Sequence, residues 1–293
     1  MRIICKSPYD FRLSWRMFSA LSGQNASRDG SLAIWWEDRP TAIFLRQTSQ
    51  DPAVIELIAD PIPRQTRQFQ QHLRAVLNAD LELEPFYRRL RRDKALRPVV
   101  NSLIGLKPFR PPDIFQMLVI AITEQQISMD AAHSIRERLL ATFGTPAGKL
   151  TAFPRPQEIA SLQAAELRAC GLSQRKAEYL IELAGRVSSG EIDMASWENT
   201  PDDELIKLLS GYRGVGEWTA EYILVRGLGR IDVVPATDLG VRRVVGHYLA
   251  GEKELSAQEV RQLLEPWAPF RGLTAFYLLA HYRMIHKGLD QAQ

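Results

Sequence analysis

Cysteine is almost missing from these 293 residues: Cys5 and Cys170 stand alone and far apart. That scarcity excludes a disulfide framework and any four-cysteine metal or iron–sulfur site, and nothing indicates an oxidising compartment. No run approaches the roughly eighteen apolar residues of a membrane span. Residues 1–7 offer Arg2 and Lys6 but no apolar stretch with a small-residue cleavage site, so no leader is read there. The expectation is a cytoplasmic protein with no membrane partner. Internal repeats and low-complexity tracts are also lacking. Neither sign of charge dominates: 37 Lys and Arg against 34 Asp and Glu give a formal net charge of +3, which fits a nucleic-acid partner without requiring one. With 45% hydrophobic and 24% charged residues, the composition is that of an ordinary globular chain, long enough for two or three small domains.

The first hundred residues mix two periodicities. Ser31–Trp36 and residues 41–46 are β-prone runs flanking Glu37-Asp38-Arg39-Pro40, which reads as a hairpin with Pro40 at the turn. Residues 55–58 predict a further strand. Phe69, Leu73, Val76 and Leu77 share one face of a helix over 65–77. From residue 84 onward no strand is expected, and residues 145–156 read as a loop. Asp113 is placed to cap an apolar, buried helix beginning at Ile114, and Ser128 to cap the next one, towards Phe143. Helices are expected at about 157–160, 164–170, 174–188, 202–209, 218–226, 239–249, 257–264 and 273–286. The fold class is therefore an α+β N-terminal domain followed by a mostly α-helical body.

The richest segment is Ser210-Gly211-Tyr212-Arg213-Gly214-Val215-Gly216, set between two helices. Glycines on either side of one apolar residue permit positive φ and close approach of another molecule. Their N–H groups would lie at the N-terminus of the following helix, where unpaired donors and the macrodipole favour an anion. A DNA phosphate is the natural candidate, held without reading sequence. Two such glycines alone more often make a packing turn; with Trp218-Thr219-Ala220 after them the string is rarer.

Residues 209–220 resemble the helix-hairpin-helix of the DNA glycosylase superfamily, whose hairpin precedes a Gly/Pro-rich loop and an aspartate, here Asp232-Val233-Val234-Pro235-Ala236-Thr237-Asp238. Thr123-Glu124-Gln125-Gln126-Ile127-Ser128 and residues 171–177 fit as well, and Pro8-Tyr9-Asp10-Phe11 is similar to the start of the 3-methyladenine DNA glycosylase II type. The resemblance spans almost the whole chain and is strongest over 105–250. It implies an α+β domain over 1–98, a helical domain over 113–230 with the helix-hairpin-helix at about 205–226, and a second helical domain built from 99–112 and 231–293.

The same resemblance implies a base-excision repair enzyme that flips alkylated, cationic purines such as 3-methyladenine out of double-stranded DNA, and as a single-site enzyme on duplex it is expected to be a monomer. It would hydrolyse the N-glycosidic bond and leave an abasic site. Asp238, which by its position alone reads as a helix N-cap, becomes the catalytic carboxylate. Trp218 and Tyr222 share a helix face and line the base pocket with Leu279, where the group commonly has tryptophan; Phe18 and Tyr282 are weaker candidates, for each of which the structural reading is favoured. No histidine or glutamate is expected beside the aromatic pair. Gly211, Arg213 (where the family has proline), Gly214, Gly216, Thr219, Gln125 and Gln126 are expected at the DNA, Gln126 as the side chain wedged into the duplex. No organic cofactor is implied; the one bound group is a structural monovalent cation, Na⁺ or K⁺, on the carbonyls of Ser210, Tyr212 and Val215. Strand-cleaving relatives carry a lysine where this chain has Trp218, and neither Lys176 nor Lys207 takes its place, so the reading is a monofunctional hydrolase. The alternatives are a glycosylase/lyase for oxidised bases and a non-catalytic helix-hairpin-helix DNA-binding protein.

Overall fold

The computed structural model describes residues 1–22 and 30–286. Strand β1 (Arg2–Cys5) leads into helix α1 (Phe11–Ser22), then β2 (Ser31–Trp36), β3 (Arg39–Gln50), β4 (Ala53–Asp60) and α2 (Thr66–Val76). The strands form an antiparallel sheet in the order β1-β4-β3-β2. Alternation sends Ile43, Leu45, Ile55 and Leu57 inward, where they meet Phe11, Trp15 and Phe18 of α1 and Phe69, Leu73 and Val76 of α2 in one core. The β2–β3 turn is not made by Pro40. Glu37 (φ 49°) and Asp38 (φ 57°) form it, and Pro40 lies within β3 opposite Trp35. A tight hairpin with the right twist needs positive φ at both central residues, which the proline ring forbids.

The body comprises α3 (Glu84–Leu90), α4 (Leu96–Ser102), α5 (Ile114–Glu124), α6 (Met129–Phe143), α7 (Pro156–Ala160), α8 (Ala164–Ala169), α9 (Gln174–Ser188), α10 (Asp202–Ser210), α11 (Glu217–Arg226), α12 (Leu239–Leu249), α13 (Ala257–Leu264) and α14 (Arg271–His286). Asp113 accepts from Phe115 N–H at 2.7 Å and Ser128 from Ala131 N–H at 3.2 Å, so both helix starts fall where the caps predict them. Where the sequence predicts a loop, the body instead carries a small hairpin, β5 (Thr145–Ala147) with β6 (Leu150–Ala152). Strands this short, one holding Pro146, carry no usable alternation. They form by docking: Ala147 and Ala152 pack on Ala33 and Ala42, the Trp35 indole N–H donates to Phe153 O at 2.7 Å, and Arg155 lies 4.0 Å over the Trp35 ring.

Two further cores divide the helices. One gathers α5 to α11; the other joins α12, α13 and α14 to α3, which lies within the 1–98 segment assigned to the first domain, and α4, which crosses its end, and both pack away from the sheet. Tyr87 and Tyr277 bond hydroxyl to hydroxyl at 3.0 Å inside that second core.

Lys107 sits where the N-terminal domain meets the body, with no exposed surface. Its Nζ donates to Lys6 O (2.9 Å) and Ala79 O (3.1 Å) and lies 5.0 Å from the Tyr9 ring centroid. Burial lowers its pKa to about 8. The unfolded chain then holds more protons than the folded one above pH 8, so Lys107 makes stability rise with pH there; above about pH 9 the buried Cys5 thiol, raised to about 11, works the other way. From pH 8 to 9 the stability of the wild type should gain about 1 kcal/mol relative to Lys107→Met, read by denaturant unfolding at each pH. Parallel curves for the two proteins would mean that Lys107 does not titrate in this window.

Candidate functional site

Asp238 caps α12. Its Oδ1 accepts from Val241 N–H at 2.9 Å, and its Oδ2 accepts from the Trp218 indole N–H at 3.0 Å. Trp218 and Tyr222, one turn apart on α11, stack with centroids 5.2 Å apart and planes inclined by 13°. Carboxylate and aromatic pair thus form one unit, as the sequence suggests. Leu279 of α14 completes it: a Cβ added to Gly240 would stand 3.0 Å from Asp238 Oδ1 and 3.4 Å from Leu279 Cδ2. The absent side chain at 240 therefore leaves clearance beside the carboxylate.

The surroundings of Tyr222 depart from expectation. Glu124, at the end of α5, lies against the Tyr222 phenol and faces Arg136 of α6 at 2.9 Å, with both charged side chains almost wholly buried. Burial pushes the Glu124 carboxyl up, while Arg136, Tyr222, Arg226 and Arg283 pull it down. Arg226 in turn packs over the Phe276 ring at 5.5 Å. A glutamate does flank the aromatic pair. It is remote from Trp218 and Tyr222 in sequence, so no local pattern announces it, although it immediately precedes Gln125 in the segment singled out above.

The next two residues of that segment turn elsewhere. Gln125 donates from Nε2 to Gly214 O (2.8 Å) and Thr219 Oγ1 (3.0 Å), tying the end of α5 to the hairpin. Lys176 of α9 donates to Thr123 O and Gln125 O at 3.0 and 2.6 Å, a cation set on the C-terminal carbonyls of α5. Gln126 is exposed, with φ 55°, and Ile127 beside it is 39% exposed. Of the residues expected at DNA, Gln126 projects outward, whereas Gln125 is committed to the hairpin and Thr219 is buried.

The hairpin glycines divide their roles. Gly214 has φ 86°, and a Cβ there would overlap the Tyr179 ring of α9. Gly216 opens α11, is exposed and has nothing within 4 Å of a would-be Cβ. The N–H groups of Gly214 and Gly216 find no acceptor among the described residues. Gly211 is exposed at the end of α10. Arg213 turns to α9, pairing with Glu178 (3.3 Å) and Glu182 (3.1 Å) and lying over Tyr179. The carbonyls of Ser210 and Val215 accept no backbone hydrogen bond from the described residues, and that of Tyr212 accepts one from Val215 N–H at 3.0 Å. Two pocket candidates make no ring contact with the pair among the described residues. Phe18 belongs to the N-terminal core, with Trp15 and Phe109 as ring neighbours at 5.6 and 6.0 Å. Tyr282 stacks on His286 at 4.0 Å and meets His247 edge-on.

Residues 119–269 match the model of the HhH-GPD superfamily base excision DNA repair protein. A DNA-3-methyladenine glycosylase of Bacillus subtilis is 28% identical over 68% of this chain. The chain spans 67% of that protein's length and 58% of a second Bacillus subtilis relative. A 3-methyladenine DNA glycosylase from Archaeoglobus fulgidus superposes with a TM-score of 0.86 at 27% identity, covering 98% of this chain and 99% of that one. A Schizosaccharomyces pombe 3-methyladenine DNA glycosylase, solved in complex with abasic DNA, has a TM-score of 0.60 at 30% identity over 67% of this chain and 95% of its own.

Gly214→Ala should lower stability by about 1–3 kcal/mol, through left-handed strain and the clash with Tyr179, whereas Gly216→Ser, with open space and a favourable capping side chain, should not. Denaturant unfolding of the two variants decides, and equal losses would refute the division. By the same measurement Glu124→Ala should cost about 3–5 kcal/mol by stranding Arg136, and Glu124→Leu combined with Arg136→Met should recover much of it.

Proposed function

The chain belongs to the HhH-GPD superfamily of base excision DNA repair proteins, and on that footing we propose that it removes alkylated, cationic purines such as 3-methyladenine from duplex DNA by hydrolysis. The observation that carries this reading is the joint placement of Asp238 and the Trp218–Tyr222 stack. Cleavage of an N-glycosidic bond builds positive charge on the sugar, and a carboxylate at hand stabilises that charge electrostatically. Both oxygens of Asp238 are oriented by N–H donors, one from the N-terminus of α12 and one from the indole. The carboxylate is thereby fixed in position, and each oxygen keeps a further lone pair to face the sugar or accept a proton from the attacking water.

The base must leave the stack before Asp238 can act on its sugar. The electron-rich faces of Trp218 and Tyr222 suit a cationic ring, an attraction worth about 2 kcal/mol when desolvated. A base that already carries positive charge departs neutral, so protonation by the enzyme is not needed. Position 218 holds an indole and no amine, which supports hydrolysis by water without strand cleavage. The N–H groups of Gly214 and Gly216, without an acceptor among the described residues, suit a phosphate, and Gln126 the duplex gap, with the protein acting as a monomer. The carbonyls of Ser210, Tyr212 and Val215 fit a monovalent cation, since two of them are uncommitted to backbone hydrogen bonds; when bound, such an ion would add positive charge beside that phosphate.

Asp238→Asn keeps a good capping side chain and should fold normally. Single-turnover release of free base from a 3-methyladenine duplex should nonetheless fall by more than about a hundredfold, with duplex binding retained. Near-normal release would identify the wrong carboxylate. Borohydride should trap no covalent protein–DNA adduct; a stable adduct would favour a lyase.

A further inference from the structure

The end of α3, the start of α4 and the link between them read Arg88-Arg89-Leu90-Arg91-Arg92-Asp93-Lys94-Ala95-Leu96-Arg97, six cations against one carboxylate. The formal net charge of the whole chain is only +3, so the remainder of the protein carries more acid than base. Positive charge is therefore concentrated on this ridge. Leu90 and Leu96 turn into the core, while Arg88, Arg89, Arg92, Lys94 and Arg97 are exposed.

None of the six cations takes part in an ion pair among the described residues, whereas Arg213, Arg261 and Arg271 each face two carboxylates. The single local acid, Asp93, spends one oxygen on the N–H groups of Ala95 (2.7 Å) and Leu96 (3.1 Å). Several guanidiniums are fixed by groups without charge: Arg89 donates to Pro266 O at 2.8 and 2.6 Å, Arg97 to Arg91 O at 3.0 Å, and Arg91 lies 5.3 Å over the Tyr87 ring. These contacts hold the side chains while leaving their charge unneutralised. α4 packs on α14 within the core that also holds α12, so the ridge is built into the same body as Asp238.

We propose that this ridge is a second DNA-binding surface, which holds phosphates of the duplex without reading sequence and supplies much of the electrostatic attraction that brings DNA to the protein. The partner is chosen by charge complementarity: duplex DNA presents one negative charge per roughly 1.7 Å of axis. The ridge offers no exposed large apolar or aromatic side chain, which a membrane surface or a protein interface core would call for. The proposal rests on the reading of DNA as substrate only for this choice of polyanion.

The test is binding of an undamaged duplex by the full chain over a range of salt, comparing wild type with Arg88→Ser/Arg92→Ser/Lys94→Ser. Loss of two or three phosphate contacts should make the log–log salt slope shallower by about 2–3 and weaken binding at least about tenfold at low salt. Single-turnover base release at saturating protein should be unchanged. A control with Arg88→Lys and Arg92→Lys should restore the slope, which a general loss of folding would not allow. Unchanged affinity and slope in the serine variant would overturn the proposal. A wild type that releases no base from any lesion duplex, yet shows the slope difference, would defeat the proposed activity and leave the ridge standing.

Discussion

The hydrogen bond from the Trp218 indole to Asp238, 3.0 Å long, joins two bodies that have separate cores. Trp218 rides on α11, which packs with α5 to α10, and Asp238 opens α12, which packs with α13, α14, α3 and α4. Across the same junction Arg261 of α13 pairs with Glu217 (3.0 Å) and Glu221 (2.7 Å) of α11, and Arg271 pairs with Asp232 in the connecting loop. A site built across two packed bodies holds its geometry only if the bodies keep their register. These contacts provide that register. Arg261–Glu221 and Arg271–Asp232 are partly buried, so solvent screens them less than it does the exposed Arg261–Glu217 pair.

The end of α5 supports that junction from below. Three successive residues leave it in three directions: Glu124 into the protein against Tyr222 and Arg136, Gln125 across to Gly214 and Thr219, Gln126 outward. The Lys176 ammonium on Thr123 O and Gln125 O fixes the backbone from which all three depart. A displacement of this short turn would disturb the aromatic pair, the hairpin and the outward side chain together. The buried Glu124–Arg136 pair adds little net stability over an apolar core. Its value lies in giving the Tyr222 phenol a defined partner.

Much of this was legible before any coordinates, and the failures have physical causes. Cap position and helical spacing are local facts, so Asp238 reads as a helix cap and Trp218 and Tyr222 as one helix face; it is the family resemblance that joins them as a site. The sheet was readable by alternation, but β5 and β6 were not, since their pairing depends on the edge of β2 supplying a surface. Pro40 was misplaced because a turn-rich string does not show which two residues take positive φ. Glu124, Arg136 and the tether from Gln125 to the hairpin are tertiary contacts with no periodic signature. Phe18 and Tyr282 are named by resemblance, and each has ring neighbours other than Trp218 and Tyr222 among the described residues.

Leu279 bears on how the proposed chemistry would select its base. It stands near Asp238 and is aliphatic, so the aromatic surface next to the carboxylate comes from the Trp218–Tyr222 stack. One electron-rich face offers a cation less attraction than enclosure between two would. A leucine also leaves more room. Recognition by tight enclosure is then weaker, and the discrimination between damaged and normal bases shifts to the reaction itself. An alkylated cationic purine would leave readily once a carboxylate stabilises the sugar cation, whereas a neutral normal base departs readily only when protonated. Glu124, its carboxyl raised by burial, is held between Arg136 and the Tyr222 phenol. Selectivity in such a site would follow the lability of the glycosidic bond more closely than the shape of the base.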